Sequence, residues 1–246
     1  MCVFLRYTMK ITMKRLLLII LTMAAFTPLK AQNDYKIITG QFEKGAPQVQ
    51  EAFAQLFGED GTKEKFDFYF HWYNIPHEFG HCILDFYGRS VGKVREEMLA
   101  NRFAVAYWKS AGYSKELAEL KEMLESILET FPDPVPEGRS FEEYFTEIWG
   151  SDELIKVSVY GYLQFKGVLI AMEEGESLEE WLAGEGIDGF QAPQDWKPVA
   201  YSIGAESAEL YLEDLQKYLR ASGVSIPSAV VELCDDPSTH CARKVQ

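Results

Sequence analysis

Two histidines and a glutamate carry the first chemical signal in this chain, in the order His77-Glu78-Phe79-Gly80-His81. Residues four apart on an α-helix lie on one face, so both imidazoles can reach a single cation. Glu78 is one position round from His77. Its carboxylate is therefore expected beside a bound metal rather than on it, placed to hold and deprotonate a metal-bound water. Two imidazoles and one carboxylate leave the fourth position of a tetrahedral zinc ion free for that water. Ile75, Phe79, Ile83, Leu84 and Phe86 flank the motif and mark it as part of a core helix. Two buried histidines with no ligand are a costly arrangement.

The third ligand follows by elimination and then by register. A Gly three residues after His81 and a His three further would give a third imidazole, but Leu84 and Tyr87 occupy those positions. The remaining histidines are His71 and His240, and no Cys-x-x-Cys pair exists, so a carboxylate is expected. Glu96 and Glu97 lie on the next predicted helix, after a short loop, and both come within reach. Glu97 and Asn101 are four apart and share a face. That register favours Glu97 as the ligand, with the Asn101 amide orienting His77 or His81, and leaves Glu96 as the more solvated neighbour. Ala100 and Ala104 leave room for the two helices to pack closely. Attack of such a water on a carbonyl would also need a group that stabilises an oxyanion. Tyr160 and Gln164 share a helical face and offer one, but core packing is the simpler reading of any single tyrosine there, and they stay outside the predicted site.

The paired segments resemble the active site of gluzincin-type zincins. The likeness is nearest to small bacterial metallopeptidases of the ImmA/IrrE type, with H-E-x-G-H followed by E-x-x-A-N-x-F-A. The matching residues are His77, Glu78, Gly80 and His81, then Glu97, Ala100, Asn101, Phe103 and Ala104, and the resemblance covers about residues 75 to 108. It implies zinc ligation by His77, His81 and Glu97 and a catalytic role for Glu78. The usual cytosolic setting and regulatory substrates of that group are not carried over, because this chain starts differently.

Its start reads as a secretory signal peptide: Met13-Lys14-Arg15 is basic, Leu16 to Phe26 is apolar, and the segment ends in a small residue at Ala31. The apolar run is shorter than the roughly 20 residues that span a bilayer. Residues 1–31 are accordingly expected to be cleaved, and residues 32–246 to form a single metallopeptidase-like domain, exported to the periplasm or secreted. The first 31 residues hold five of the 24 Lys and Arg and none of the 38 Asp and Glu, which leaves a net charge near −19 on the rest. Such a surface repels nucleic acid and anionic lipid, so neither is an expected partner. Of the three later cysteines, Cys82 lies in an apolar helical pattern and is expected to be a buried thiol. Cys234 and Cys241, close together in a polar tail, are expected to pair in an oxidising compartment.

The elements that must hold the site are legible from caps and breakers. Asp34 to Thr39 reads as a short strand, and Phe66 to Tyr73, aromatic and partly alternating, favours a second by β propensity, with a buried aromatic helix as the competing reading that periodicity does not separate. Helices are predicted from Pro47 to Phe57 and, behind an Asn74 cap with Pro76 in the first turn, to about Tyr87. Others follow from Lys93 to Ser110, from Ser114 to Thr130, from Ser151 to Glu174 and from Ala205 to Ala221. Ser140 with Glu143 and Ser177 with Glu180 form capping boxes that open two more. The sequence thus predicts a helix-rich α+β, zincin-like fold, with a small amino-terminal sheet packed on an active-site helix and a helical carboxy-terminal part. The predicted function is zinc-dependent peptide-bond hydrolysis with one zinc per chain. A second reading keeps the scaffold as a catalytically silent metal- or peptide-binding module.

Overall fold

Ile37, Ile38 and Thr39 are β-branched and buried, and the segment around them forms strand β1 (Asp34–Gly40). The computed structural model describes residues 34–154 and 156–245, and the expected signal peptide lies outside the described residues. After β1 come α1 (Pro47–Phe57), α2 (Thr62–Asp67), a π-helical segment (Phe68–Tyr73) and α3 (Asn74–Phe86). Then follow α4 (Lys93–Ala111), α5 (Ser114–Leu128), α6 (Phe141–Ile148), α7 (Val157–Glu174), α8 (Leu178–Gly184) and α9 (Ser207–Ala221). Strands β2 (Ser228–Cys234) and β3 (His240–Lys244) close the chain. The architecture is helix-rich with one small sheet, as an α+β reading requires.

The sheet corrects the expectation of an amino-terminal sheet and a helical carboxy-terminal part. Its order is β2-β1-β3, so one strand comes from the start of the described chain and two from its end. β1 runs parallel to β2, pairing Asp34 with Ser228 through Gly40 with Cys234, and antiparallel to β3, pairing Tyr35 with Lys244 through Thr39 with His240. The polar, Pro-containing tail hid these strands because β2 buries only Ala229 fully and β3 is half-buried along most of its length, so neither shows a clear apolar alternation. That same topology removes the predicted Cys234–Cys241 bridge. β1 lies between the strands that carry the two cysteines, and two inter-strand spacings put flanking strands about 9–10 Å apart. A disulfide needs Cα atoms within about 7 Å. Cys82, Cys234 and Cys241 are all free thiols. Cys82 is buried as expected, its Sγ donating to the Glu78 carbonyl at 3.3 Å.

The segment Phe66–Tyr73 is helical, not extended. α2, the π-helical segment and α3 form one continuous helix, so Asn74 is an interior residue rather than a cap. Phe66, Phe68, Tyr69, Trp72 and Tyr73 are all buried, which means the segment is surrounded rather than two-faced, and β propensity says little about such a run. Pro76 accounts for the π geometry. It lacks the N–H that Trp72 would receive in a regular helix, and the wider turn just before it absorbs the defect.

Elsewhere much of the punctuation is where the sequence puts it, although the helix expected from Ser151 begins only at Val157, behind Lys156. α1 ends at Gly58 and α4 at Gly112, each with positive φ, and both capping boxes are formed. α3 and α4 approach closely because Gly80 faces Ala100: a Cβ on Gly80 would meet the Ala100 Cα at 3.2 Å and the Phe103 ring at 3.2 Å. α8 clamps the far side of α4, with Trp181 Nε1 donating to the Leu99 carbonyl at 3.0 Å.

Candidate metal centre

α3 carries His77, Glu78 and His81, and α4 carries Glu96, Glu97 and Asn101 on the face it turns toward them. Where the helices touch at Gly80 and Ala100, the His77 and His81 rings face Glu97. His77 Nε2 and His81 Nε2 are 3.2 Å apart. Glu97 Oε2 stands 3.4 Å from His77 Nε2, and Glu97 Oε1 stands 3.8 Å from His81 Nε2. One donor atom from each of the three residues lies within 4.8 Å of the others. Thus the three sequence-predicted ligands come together.

The other ring nitrogens point away. His77 Nδ1 is 2.9 Å from Asn101 Oδ1, which also accepts from the Tyr73 hydroxyl at 2.9 Å. His81 Nδ1 is 3.2 Å from Glu96 Oε1, and Glu96 Oε2 accepts from Lys93 Nζ at 2.9 Å. Asn101 thus takes the orienting part expected of it, on His77. Glu96 departs from expectation: it is engaged behind His81 rather than merely solvated.

This arrangement provides a test of whether a metal fits. Acceptors behind both rings place a proton on each Nδ1, so the neutral rings turn two Nε2 lone pairs toward each other and toward a carboxylate. Three convergent electron-pair donors repel unless a cation lies among them. Ligands about 2.0–2.1 Å from a tetrahedral zinc lie about 3.3–3.4 Å from one another. The two shorter separations match that spacing and the third is slightly longer. A zinc ion fits the donor set.

Without metal, the cluster holds a proton instead. Burial disfavours the His81 imidazolium, but the Glu97 charge, the Glu96 hydrogen bond and the Glu78 charge outweigh it and raise His81 to about 9. Burial pushes Glu97 up, and His81 and His77 more than reverse that, so its carboxyl lies below the usual range. Glu96 is also opposed by burial, and His81 and Lys93 bring it down to about 2. Both glutamates are therefore available as anions across the neutral range.

Glu78 stands beside this triad and is not one of its convergent donors. It is buried, and Asn74 Nδ2 donates to its Oε1 at 3.2 Å, leaving Oε2 uncommitted. Tyr160, on α7, is 39% exposed. Its phenol is pushed up by desolvation first and then by the charges of Glu97 and Glu78, which sets it within the field of the same cluster. A concavity of about 480 Å³ between α5 and α7, lined by Glu125, Asp133, Tyr162 and Lys166 among others, includes none of these residues.

Sequence reasoning missed Tyr73, Lys93 and the part played by Glu96. One signal was available: each imidazole that binds a metal through Nε2 needs an acceptor for its Nδ1–H, and Asn101 serves only one of the two rings. Comparison of the chain with family models, curated proteins and solved structures finds no match to any of them.

Proposed function

We propose that this chain is an exported zinc-dependent peptidase of gluzincin type, acting on peptide or protein substrates. The observation that carries the reading is the convergence of His77 Nε2, His81 Nε2 and the Glu97 carboxylate, two separations matching a tetrahedral zinc and the third slightly longer, with a second carboxylate alongside. His77, His81 and Glu97 would hold the ion. When bound, zinc lowers the pKa of water and polarises a carbonyl oxygen.

The chain's own residues supply the rest. Glu78, held at Oε1 by Asn74, has Oε2 free to take a proton from the attacking water and to pass it to the leaving amine. Asn101 and Glu96 fix the planes of the two imidazoles from behind. Tyr160 carries a neutral phenol next to the acidic cluster, suited to donate to a carbonyl oxygen as charge develops on it. An intact Glu78 favours turnover over the silent binding module, since a metal-holding scaffold has no use for a base at that position.

The test has two stages. Protein purified without added ions is assayed for metal, and about one zinc per chain is expected. The zinc-loaded protein is then incubated with a diverse peptide pool, and new termini are followed by mass spectrometry. A chain that holds no zinc defeats the reading. A chain that holds one zinc and cuts nothing replaces it with the binding module.

A further inference from the structure

We infer that Glu96 is a positioning residue for the metal centre, gripping His81 from behind so that the two imidazoles are held by unlike partners: an anion for His81 and a neutral amide for His77. This rests on the zinc reading above and adds a division of labour between two adjacent glutamates.

The geometry separates them. His81 presents Nε2 to His77 and Glu97, while its Nδ1 meets Glu96 Oε1 at 3.2 Å. Consecutive residues on a helix are displaced by about 100°, so Glu97 reaches the front of the ring and Glu96 the back. The two carboxylates straddle one imidazole. Glu96 is itself held at both oxygens, Oε1 by His81 and Oε2 by Lys93 Nζ at 2.9 Å. The partner of His77 is held as firmly but carries no charge, Asn101 Oδ1 accepting from both His77 and Tyr73.

Chemistry gives the asymmetry meaning. A carboxylate that accepts the Nδ1–H pushes electron density toward Nε2 more than an amide oxygen does, and it fixes the tautomer that leaves Nε2 free. His81 is then the stronger nitrogen donor of the pair, and His77 the one placed chiefly by shape. Loss of a partner behind a ligating histidine typically weakens metal binding by about 10–100-fold.

The experiment measures zinc affinity by chelator competition for the wild type, Glu96→Gln, Glu96→Ala and Glu97→Ala. Metal-free melting temperatures are recorded alongside. The expected result is a roughly 10–100-fold loss in Glu96→Ala, a smaller loss in Glu96→Gln, whose amide oxygen still accepts, and near-complete loss in Glu97→Ala. A merely structural role would not move a second readout: in the zinc-loaded protein the His81 Nδ1–H should give an exchange-protected proton resonance, kept in Glu96→Gln and lost in Glu96→Ala. Should Glu96→Ala fail to fold, Glu96→Gln still decides, because wild-type zinc affinity in that variant sinks the claim that charge matters. Wild-type affinity in Glu96→Ala overturns the inference alone. Equal, complete loss in both alanine variants also overturns it, by making Glu96 a ligand. A wild type that binds no zinc overturns the metal reading and this inference together.

Discussion

The four histidines of this chain form two pairs that show opposite ways of burying an imidazole. In the pair near the sheet, each ring nitrogen has a polar protein atom within 3.0 Å, although His71 and Asp67 meet at ion-pair distance without hydrogen-bond alignment. His71 Nδ1 stands 3.0 Å from Asp67 Oδ1, and its Nε2 donates to the Gly40 carbonyl at 2.9 Å. His240 Nδ1 lies 2.9 Å from Thr39 Oγ1, and its Nε2 is 2.8 Å from the Pro237 carbonyl, with the ring stacked on Phe70. In the pair on α3, only Nδ1 is committed, and the Nε2 atoms of His77 and His81 are turned on each other. The first pair is turned to protein groups at every nitrogen, and the second has two nitrogens turned only on each other and on a carboxylate. A buried histidine with a spare nitrogen is the informative kind, and two that share one gap with a carboxylate are more informative still.

The sharpest way to break this contrast is at Glu78, which has a place only in the open pair. Glu78→Gln is expected to keep zinc and fold while lowering peptide cleavage by about 10²–10⁴-fold, the usual worth of a general base. Single-turnover assays beside metal analysis check it, and cleavage at the wild-type rate would end the proposed mechanism. His71→Ala should do the reverse. It leaves Asp67 buried beside Lys63 with half its partners gone, so stability should fall by about 3 kcal/mol in urea titration, with zinc affinity unchanged. A loss of zinc there would show that the two pairs are not independent.

A pH titration sharpens the closed pair further. Burial, helped by the charge of His71 and opposed by the Pro237 carbonyl, lowers His240 to about 3. A histidine depressed in the fold binds its proton first in the unfolded chain. Its contribution is therefore complete above about pH 6.5 and drains away as pH falls toward 3, by at most about 1.4 kcal/mol per unit. Denaturant midpoints of the wild type should slope over that window, and those of His240→Gln should slope less. The smallest effect is expected at Gly167 on α7, where a Cβ would come within 3.2 Å of Asn101 Nδ2. Gly167→Ala should tilt the amide behind His77 and weaken zinc binding a few-fold, whereas a full-strength site would mean Asn101 does not orient that ring.

The open pair was readable in advance because its logic is local. H-E-x-x-H on one helix and Glu97 with Asn101 on the next are fixed by a four-residue spacing, and Gly80 opposite Ala100 needs only small residues in register. The rest depended on contacts that spacing does not encode. Tyr73 reaches Asn101 only because the π turn rotates it there, and that turn was invisible in an aromatic run that suits strands equally well. Glu96 was set aside as solvated because a helical wheel shows direction but not the ring standing behind a neighbouring ligand. The sheet was half read: β1 is apolar enough to announce itself, whereas β2 and β3 are drawn from a charged tail whose exposed face masks the alternation.

The pairing of β1 with strands from the opposite end of the chain also orders events during synthesis. β1 is among the first described residues to leave the ribosome, yet neither of its neighbours exists until residues 228–244 have been made. Through all of that time Gly40, whose carbonyl is the anchor of His71, has no sheet to fix it. Contacts so distant in sequence form late, since the whole intervening loop must close first. A chain lacking residues 228–244 therefore carries α3, with His77, Glu78 and His81, without the strand β3 that packs against it.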